Sequence, residues 1–476
     1  MKTFYWHDYE TWGVNPAVDR PSQFAGVRTD ENLNIVGEPL MIYCKPPIDV
    51  LPNPEACLVT GLSPQVALSR GLDECEFIRK IHSEMSQAHT CSVGYNTVRF
   101  DDEVTRYTLY RNFYDPYERE WKNGNSRWDI IDMVRMVYAL RPEGIEWPMI
   151  NDRPSFKLEN LTKANGIEHG AAHDAFSDVE ATINLAKLIK AKQPRLYDFV
   201  YNSRSKKVVS QNIDIRSRKP MLHISSKFSS EHGCAGLIVP LAAHPVNANA
   251  VIVYELSQDP SPLLHLTIEQ IQERVFTRAV DLPEGMERLP LKLIHINKCP
   301  ILAPANSLDS AAARRLGIDK DQCEKHWQAL LTMDLEFKMR EVFQPQSYPD
   351  KTDPEQALYS GFLNHADKQL SREFRATLGS ELAERNFVFE DARLNEISFR
   401  YRARNFPGSL NDRERAQWRE FVSARLRNGE DGLLSLTIFR QKLAALVDDC
   451  HERNTMEHLG LLAQLQKYAD DLERQY

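Results

Sequence analysis

Apolar and polar positions alternate closely at the start of the chain. Phe4-Tyr5-Trp6-His7-Asp8-Tyr9-Glu10-Thr11 predicts a short buried strand whose far end carries two acids. Side chains of a strand alternate between faces, so Asp8 and Glu10 share one face and Tyr5, His7, Tyr9 and Thr11 the other. Strand-like and helix-like patterns alternate through the first 190 residues. Segments 23–28 and 39–44 read as strands, Ser63-Pro64 as an N-cap with proline at the first helical position, and 77–82 as part of an amphipathic helix. Segments 101–113 and 127–140 have helical periodicity, the second stopped by Arg141-Pro142-Glu143-Gly144. A further helix opens at His173-Asp174 and ends at Gln193-Pro194. The expected architecture is an α/β sheet with helices on both faces.

After residue 194 the pattern changes. Apolar runs at 221–225, 236–241, 250–255 and 291–296, separated by turn residues, predict a small β-rich barrel or sandwich with helical insertions. From Asp350 long helical patterns dominate, as at 436–447 and 456–472. A chain of 476 residues has room for two or three domains, here placed at 1–190, 194–347 and 350–476.

Hydrophobic content of 42% and charged content of 26% match an ordinary globular protein. The net charge of −8 lacks the overall basic excess of many nucleic-acid binders, so any basic footprint must be local. Met1-Lys2-Thr3 leads straight into the first strand with no signal-peptide pattern, and the apolar run at 236–243 is far too short for a bilayer. A cytoplasmic protein without membrane association is expected. The eight cysteines show no C-x-x-C spacing, which favours reduced thiols over a metal cluster.

The acids change the picture. Neighbouring carboxylates repel and raise one another's pKa unless a cation lies between them, and hard divalent cations take such oxygen ligands. On the first stretch alone, a strand end with two solvated acids is an equal reading. More acids follow in sequence. Asn96-Thr97-Val98-Arg99-Phe100-Asp101-Asp102 comes after the apolar run 91–95, and His173 precedes Asp178 by five positions. The set is Asp-x-Glu, then Asp, then His-x4-Asp: four carboxylates and one imidazole from three separated segments. Asp101 is preferred to Asp102 because it directly follows Phe100, with Asp102 the open alternative. Arg106, Tyr117, Trp121, Arg127, Trp128 and Arg135 mix cations with rings after the second motif, a mixture suited to a single nucleic-acid strand. Helix packing is the plainer reading for either tryptophan. Lys157 lies on the approach to the third motif, where it can hold a phosphate, and basic runs stand at Arg204-Ser205-Lys206-Lys207 and Arg216-Ser217-Arg218-Lys219.

The three motifs resemble those of the DEDD-type 3′→5′ exonucleases with a histidine in the third motif, which have a ribonuclease-H-like core. Together with Gly94-Tyr95-Asn96 and segments 138–145, 161–167, 295–300 and 401–408, the full length resembles the bacterial exodeoxyribonuclease I family. That resemblance implies an exonuclease core, an SH3-like domain and an all-α C-terminal domain closing around single-stranded DNA. It implies a Mg²⁺-dependent hydrolase of the 3′ end that releases 5′-mononucleotides in DNA repair and recombination. Asp8, Glu10 and Asp178 are then ligands of two Mg²⁺ (Mn²⁺ being the other metal in view), with Asp101 supporting through a water. His173, whose ordinary pKa is about 6.5, fits the general base, although a lone histidine would more often be structural. Strand contacts are implied at Glu10, Arg106, Tyr117, Trp121, Arg135, Lys206, Asn249, Lys292, Asn297, Tyr359 and Phe362. Tyr359 and Phe362 are three apart on an expected helix, which would put both rings over one groove. The family also binds the acidic, Phe-ended tail of single-stranded DNA-binding protein, for which Arg141, beside Leu140 and Pro142, is a pocket residue. A monomer is expected. An RNA exonuclease or a polymerase proofreading subunit shares the three-motif core, and a non-catalytic strand-binding protein would have lost its use.

Overall fold

In the computed structural model, which describes residues 2–170, 174–345 and 351–476, the opening strand β1 (Thr3–Thr11) lies in the middle of a five-stranded sheet. It pairs antiparallel with β2 (Pro21–Thr29) on one side and parallel with β4 (Thr90–Gly94) on the other. With β3 (Leu40–Tyr43) and β5 (Ser126–Asp129) the order is β3-β2-β1-β4-β5. A parallel β1/β4 pair requires a crossover, which includes helix α1 (Glu74–Met85). Tyr5, Tyr9 and Phe24 are buried against Phe77, Ile78 and Ile81 of that helix. The β1/β2 register shifts between Glu10 and Thr11, so the ladder bends immediately after the second carboxylate.

The end of β4 turns sharply. A Cβ at Gly94 would stand 2.8 Å from the His7 carbonyl oxygen, and Asn96 adopts φ +64°, a left-handed conformation its short side chain tolerates. The chain can then begin helix α2 (Asp101–Arg111) at Asp101. Helix α3 (Ile131–Leu140) starts later than the periodicity suggested, because residues 127–129 belong to β5. Sheet pairing has overridden local helical spacing there, and Trp128 is a core residue, 1% exposed. Helix α4 (Ala175–Lys192) begins after Asp174, whose backbone carbonyl accepts from Asp178 N at 3.1 Å.

A second antiparallel sheet contains β6 (Met221–Ile224), β7 (Ala235–Ala243), β8 (Ala250–Glu255), β9 (Leu291–His295) and β10 (Ile301–Pro304), in the order β9-β8-β7-β6-β10. Met221, Ile238, Val253, Ile294 and Leu302 form its core. The C-terminal region is helical, with α5 (His365–Ala376), α6 (Ala392–Asn405), α7 (Asp412–Asn428), α8 (Leu436–Arg453) and α9 (Leu459–Gln475). Tyr359 and Phe362 precede α5 in irregular backbone, contrary to the expected helix. Asn364 caps α5 by accepting from Asp367 N at 2.7 Å, and the helix starts only after it.

The chain divides into two compact units, one of Met1–Arg127, His169–Ile183 and Pro349–Tyr476, the other of Trp128–Glu168 and Asn184–Tyr348. The N-terminal motifs and the C-terminal helices therefore share a body. Trp12, Leu51 and Cys57 pack with Trp418, Val422, Phe439 and Leu465. Beside this core runs a buried ionic network. Glu355 is met by Arg20 at 2.8 Å and Arg404 at 2.5 Å, Asp49 by Arg404 at 2.7 Å and Arg425 at 2.8 Å, and Asp353 by Arg400 at 2.9 Å. Burial pushes Asp49 and Glu355 up, but the guanidinium groups, Arg404 foremost, outweigh it and hold both below the usual carboxylate range.

Removing one partner would leave buried charges uncompensated, so Glu355→Ala is expected to cost about 3–5 kcal/mol in urea unfolding. Because the folded carboxylates have depressed pKa values, their contribution is present above the unfolded value of roughly 4 and is lost as pH falls below it. Denaturant midpoints measured downward from pH 5 should fall steeply for the parent chain and less steeply for Glu355→Gln.

Candidate active site

Strand β1 and helix α4 bring the first and third acidic motifs together. Ligand-capable oxygens of Asp8, Glu10 and Asp178 all lie within 4.8 Å of one another, each residue half-buried. Asp8 and Glu10 share a face by strand alternation, while the residues between and around them, His7 and Tyr9, are buried on the opposite side. Asp101, the first residue of α2, is tied to the same strand, with its Oδ1 accepting from Tyr9 N at 3.0 Å. Thr105 braces that joint by donating to the Asp101 carbonyl at 2.8 Å.

Electrostatics report the crowding. Burial, then the charges of Asp101, Glu10, Asp178 and Asp174, push the Asp8 carboxyl well above its ordinary range. Burial and Asp178, Asp101 and Asp174 raise Glu10 to about 9. Without a cation such a cluster retains protons. Three hard oxygen donors at this spacing fit a divalent cation such as Mg²⁺, whose charge removes the repulsion.

Asp102 points into a different environment. Arg119 reaches it at 2.6 Å and Arg127 at 2.8 Å, and although burial raises it, these cations hold it low. Its charge is therefore matched by guanidinium groups, whereas that of Asp101 bears on Asp8 and Glu10.

His173 lies outside the described residues. The structure instead places His169, which the motif reading passed over, against the cluster. Its Nε2 is 2.5 Å from Asp178 Oδ1. Asp174 also joins, accepting from Gln23 Nε2 at 2.9 Å. The available signal was the run Glu168-His169-Gly170-Ala171-Ala172-His173-Asp174, which carries two histidines rather than one ahead of Asp178. His7, by contrast, is a core group that burial holds down at about 4 and so keeps neutral.

Among the expected strand contacts in this unit, four gather. Arg106 bonds Glu120 at 2.8 Å, Glu103 at 2.7 Å and the Tyr359 hydroxyl at 3.2 Å, and its guanidinium lies 5.4 Å from the Tyr117 ring. Tyr117 and Phe362 have ring centroids 6.3 Å apart. The charge of Arg106 is thus already balanced by carboxylates, and the exposed surface nearby is aromatic. Trp121 is 64% exposed. The other contacts lie in the second unit. Asn249 and Asn297 flank the paired end of β8 and β9, where Ile296 N donates to the Asn249 carbonyl at 2.8 Å, and Lys292 on β9 sits 4.2 Å over the Phe228 ring. Lys206 is exposed on the first turn of the helix Lys206–Asn212, capped by Ser205. Arg135 pairs with Asp132 at 2.5 Å and Lys157 with Glu159 at 3.6 Å. Arg141 is half-exposed, 3.6 Å from Asp309. Arg218, from the second basic run, is a structural residue that donates to the Leu330 and Met333 carbonyls. No helix among the described residues is long and apolar enough to cross a membrane, and the eight cysteines are free thiols.

Three family models match along the chain: Exonuclease over residues 5–186, Exonuclease I SH3-like domain over 204–345 and Exonuclease I C-terminal domain over 352–472. Exodeoxyribonuclease I of Haemophilus influenzae is 45% identical over 470 residues, 98% of each chain. The zinc-ion-bound form of the Escherichia coli ExoI–ssDNA complex superposes with TM-score 0.94 at 44% identity, covering 99% of this chain and all of that one. The structure of SSB/Exonuclease I in complex with inhibitor CFAM does so with TM-score 0.91 at 43% identity and the same coverage.

If the carboxylates cradle a divalent cation, millimolar Mg²⁺ should raise the melting temperature, since a ligand at 100 times its Kd stabilises by about 2.7 kcal/mol. Asp178→Asn should lose most of that gain in differential scanning fluorimetry while keeping the metal-free fold.

Proposed function

The chain belongs to the exodeoxyribonuclease I family, and from that premise we propose that it degrades single-stranded DNA from the 3′ end to 5′-mononucleotides. The observation that carries this reading is the convergence of Asp8, Glu10 and Asp178 within 4.8 Å. These three hold two Mg²⁺ ions, or Mn²⁺ in their place, with Asp101 supporting through a water. Held there, such ions would supply a lowered pKa for a bound water and neutralisation of charge on the leaving oxygen. His173 takes the proton released from the attacking water. His169 fixes the Asp178 carboxylate by its short contact to Oδ1. Carboxylates fixed in this way favour a single orientation of the scissile phosphate.

The residues that contact the strand are Arg106, Tyr117, Trp121, Tyr359, Phe362, Arg135, Lys157, Lys206, Asn249, Lys292 and Asn297. Glu10 also touches the terminal nucleotide. Ring stacking and cationic side chains suit any base sequence, as a degradative enzyme requires. The division into domains at 1–190, 194–347 and 350–476, a monomeric state, action in the cytoplasm and service in DNA repair and recombination complete the reading. Arg141 contributes to a pocket for the C-terminal tail of single-stranded DNA-binding protein. The solved structure of SSB/Exonuclease I with inhibitor CFAM supports that partner, and the zinc-bound complex with single-stranded DNA supports both the metal and the strand.

Digestion of single-stranded DNA blocked at one end or the other tests the reading. Cleavage should start only from a free 3′ end, stop with EDTA, and fall by 10³-fold or more in Asp178→Ala, given that metal sites supply several kcal/mol of transition-state stabilisation. His173→Ala should be slower by about 10²–10⁴-fold near neutral pH, the range typical of general-base loss. A matched RNA oligonucleotide degraded at the DNA rate would favour an RNA exonuclease instead.

A further inference from the structure

Gln23 stands in β2 directly opposite Glu10 of β1, with Tyr43 of β3 opposite it on the other side. Directly opposed residues of an antiparallel pair put their side chains on one face of the sheet, so Gln23 rises on the carboxylate face beside Glu10. Pairing on both flanks fixes its backbone, and the residue is buried, 4% exposed. Its Nε2 donates to Asp174 Oδ1 at 2.9 Å. The other oxygen of that carboxylate accepts from Ser177 N at 3.3 Å, and the Asp174 carbonyl accepts from Asp178 N at 3.1 Å. Asp174 therefore caps α4, and Asp178 lies one turn further along from that cap. One side-chain amide thus joins the strand face that carries Asp8 and Glu10 to the helix end that carries Asp178.

Residue type matters at this place. Capping α4 needs only the bond from Ser177 N, so the bond from Gln23 adds something else, a fixed reach from sheet to helix. A glutamate there would set another negative charge against Asp174, and a lysine would supply the positive charge that a metal ion otherwise brings. An amide donates a hydrogen bond and adds no charge, which leaves the acids to a cation. We propose that Gln23 is a positioning residue: by tying the cap of α4 to β2 it sets the separation of Asp178 from Asp8 and Glu10, and so the space left for divalent cations. The proposal rests on the function given above, in that the cluster works on bound metal.

Gln23→Leu, which keeps the bulk and removes the donor, tests it in the full chain. By differential scanning fluorimetry its melting temperature in EDTA should match the parent. The Mg²⁺ concentration giving half of the metal-induced shift should rise about 10- to 100-fold, the range for losing a group that orients metal ligands. On a dT oligonucleotide kcat should fall by a similar factor with KM unchanged. Gln23→Glu should lose at least as much. Gln23→Glu combined with Asp174→Asn exchanges amide and carboxylate across the same contact and should recover most of the loss. A Gln23→Leu protein with the parental Mg²⁺ response and kcat overturns the assignment and leaves the exonuclease reading standing, as does a double variant no better than Gln23→Glu. Should Gln23→Leu not fold, the comparison of those two charge variants decides alone. A parent chain that neither responds to Mg²⁺ nor shortens the oligonucleotide overturns both.

Discussion

Mutual repulsion among carboxylates is what the rest of this molecule is built to withstand. Asp101, Asp174 and Asp178 raise the proton affinity of Asp8 and Glu10, and burial adds to the effect. Such a group does not assemble spontaneously, so each member needs an independent anchor. Asp8 and Glu10 ride a strand hydrogen-bonded on both edges. Asp101 is fastened to the Tyr9 amide, Asp174 to Gln23 and Asp178 to His169. The strain of placing like charges together is offset by ladder hydrogen bonds and core burial, and it is relieved when a cation enters.

A second electrostatic arrangement works in the opposite sense. Around Asp49, Asp353 and Glu355 four arginines outnumber three acids, and Asp49 and Glu355 are held ionised rather than protonated. Through Arg20 this network reaches the segment just beyond the acidic strand. Trp12, one residue beyond β1, donates its amide to the Arg20 carbonyl, and the Arg20 side chain reaches Glu355. Trp12 itself packs into the core of the C-terminal helices. The segment leaving the acidic strand is therefore secured by the last third of the chain. That explains why helices so far away in sequence belong to the same compact unit as the first motif.

The aromatic surface follows from a similar division of labour. Asp102, Glu103, Arg106, Arg119, Glu120 and Arg127 pair with one another, beside the exposed rings of Tyr359 and Phe362. Arg106, one of the proposed strand contacts, is held in place by Glu103, Glu120 and the Tyr359 hydroxyl. Cations held this way orient rings and carboxylates, while more exposed lysines and arginines remain available to phosphate.

Period-two alternation in residues 4–11 alone placed Asp8 and Glu10 on one face, because strand geometry depends only on neighbouring positions. Ser63-Pro64 marked a helix start for the same local reason. Spacing also separated a mixed α/β region, a β-rich region and a helical region, and the motif order indicated metal chemistry. Other features depended on contacts that no local pattern encodes. Residues 127–129 became a strand because a sheet edge was there to receive them. The helix expected at Tyr359 and Phe362 did not form, since Asn364 caps α5 after them. The roles of Asp101 and Asp102, adjacent and chemically alike, were separated by whether the Tyr9 amide or two guanidinium groups lay opposite. Local sequence determines which way a side chain points from its own element; what it meets there is decided by distant segments, because hydrogen bonds and charge pairs form in space and not along the chain.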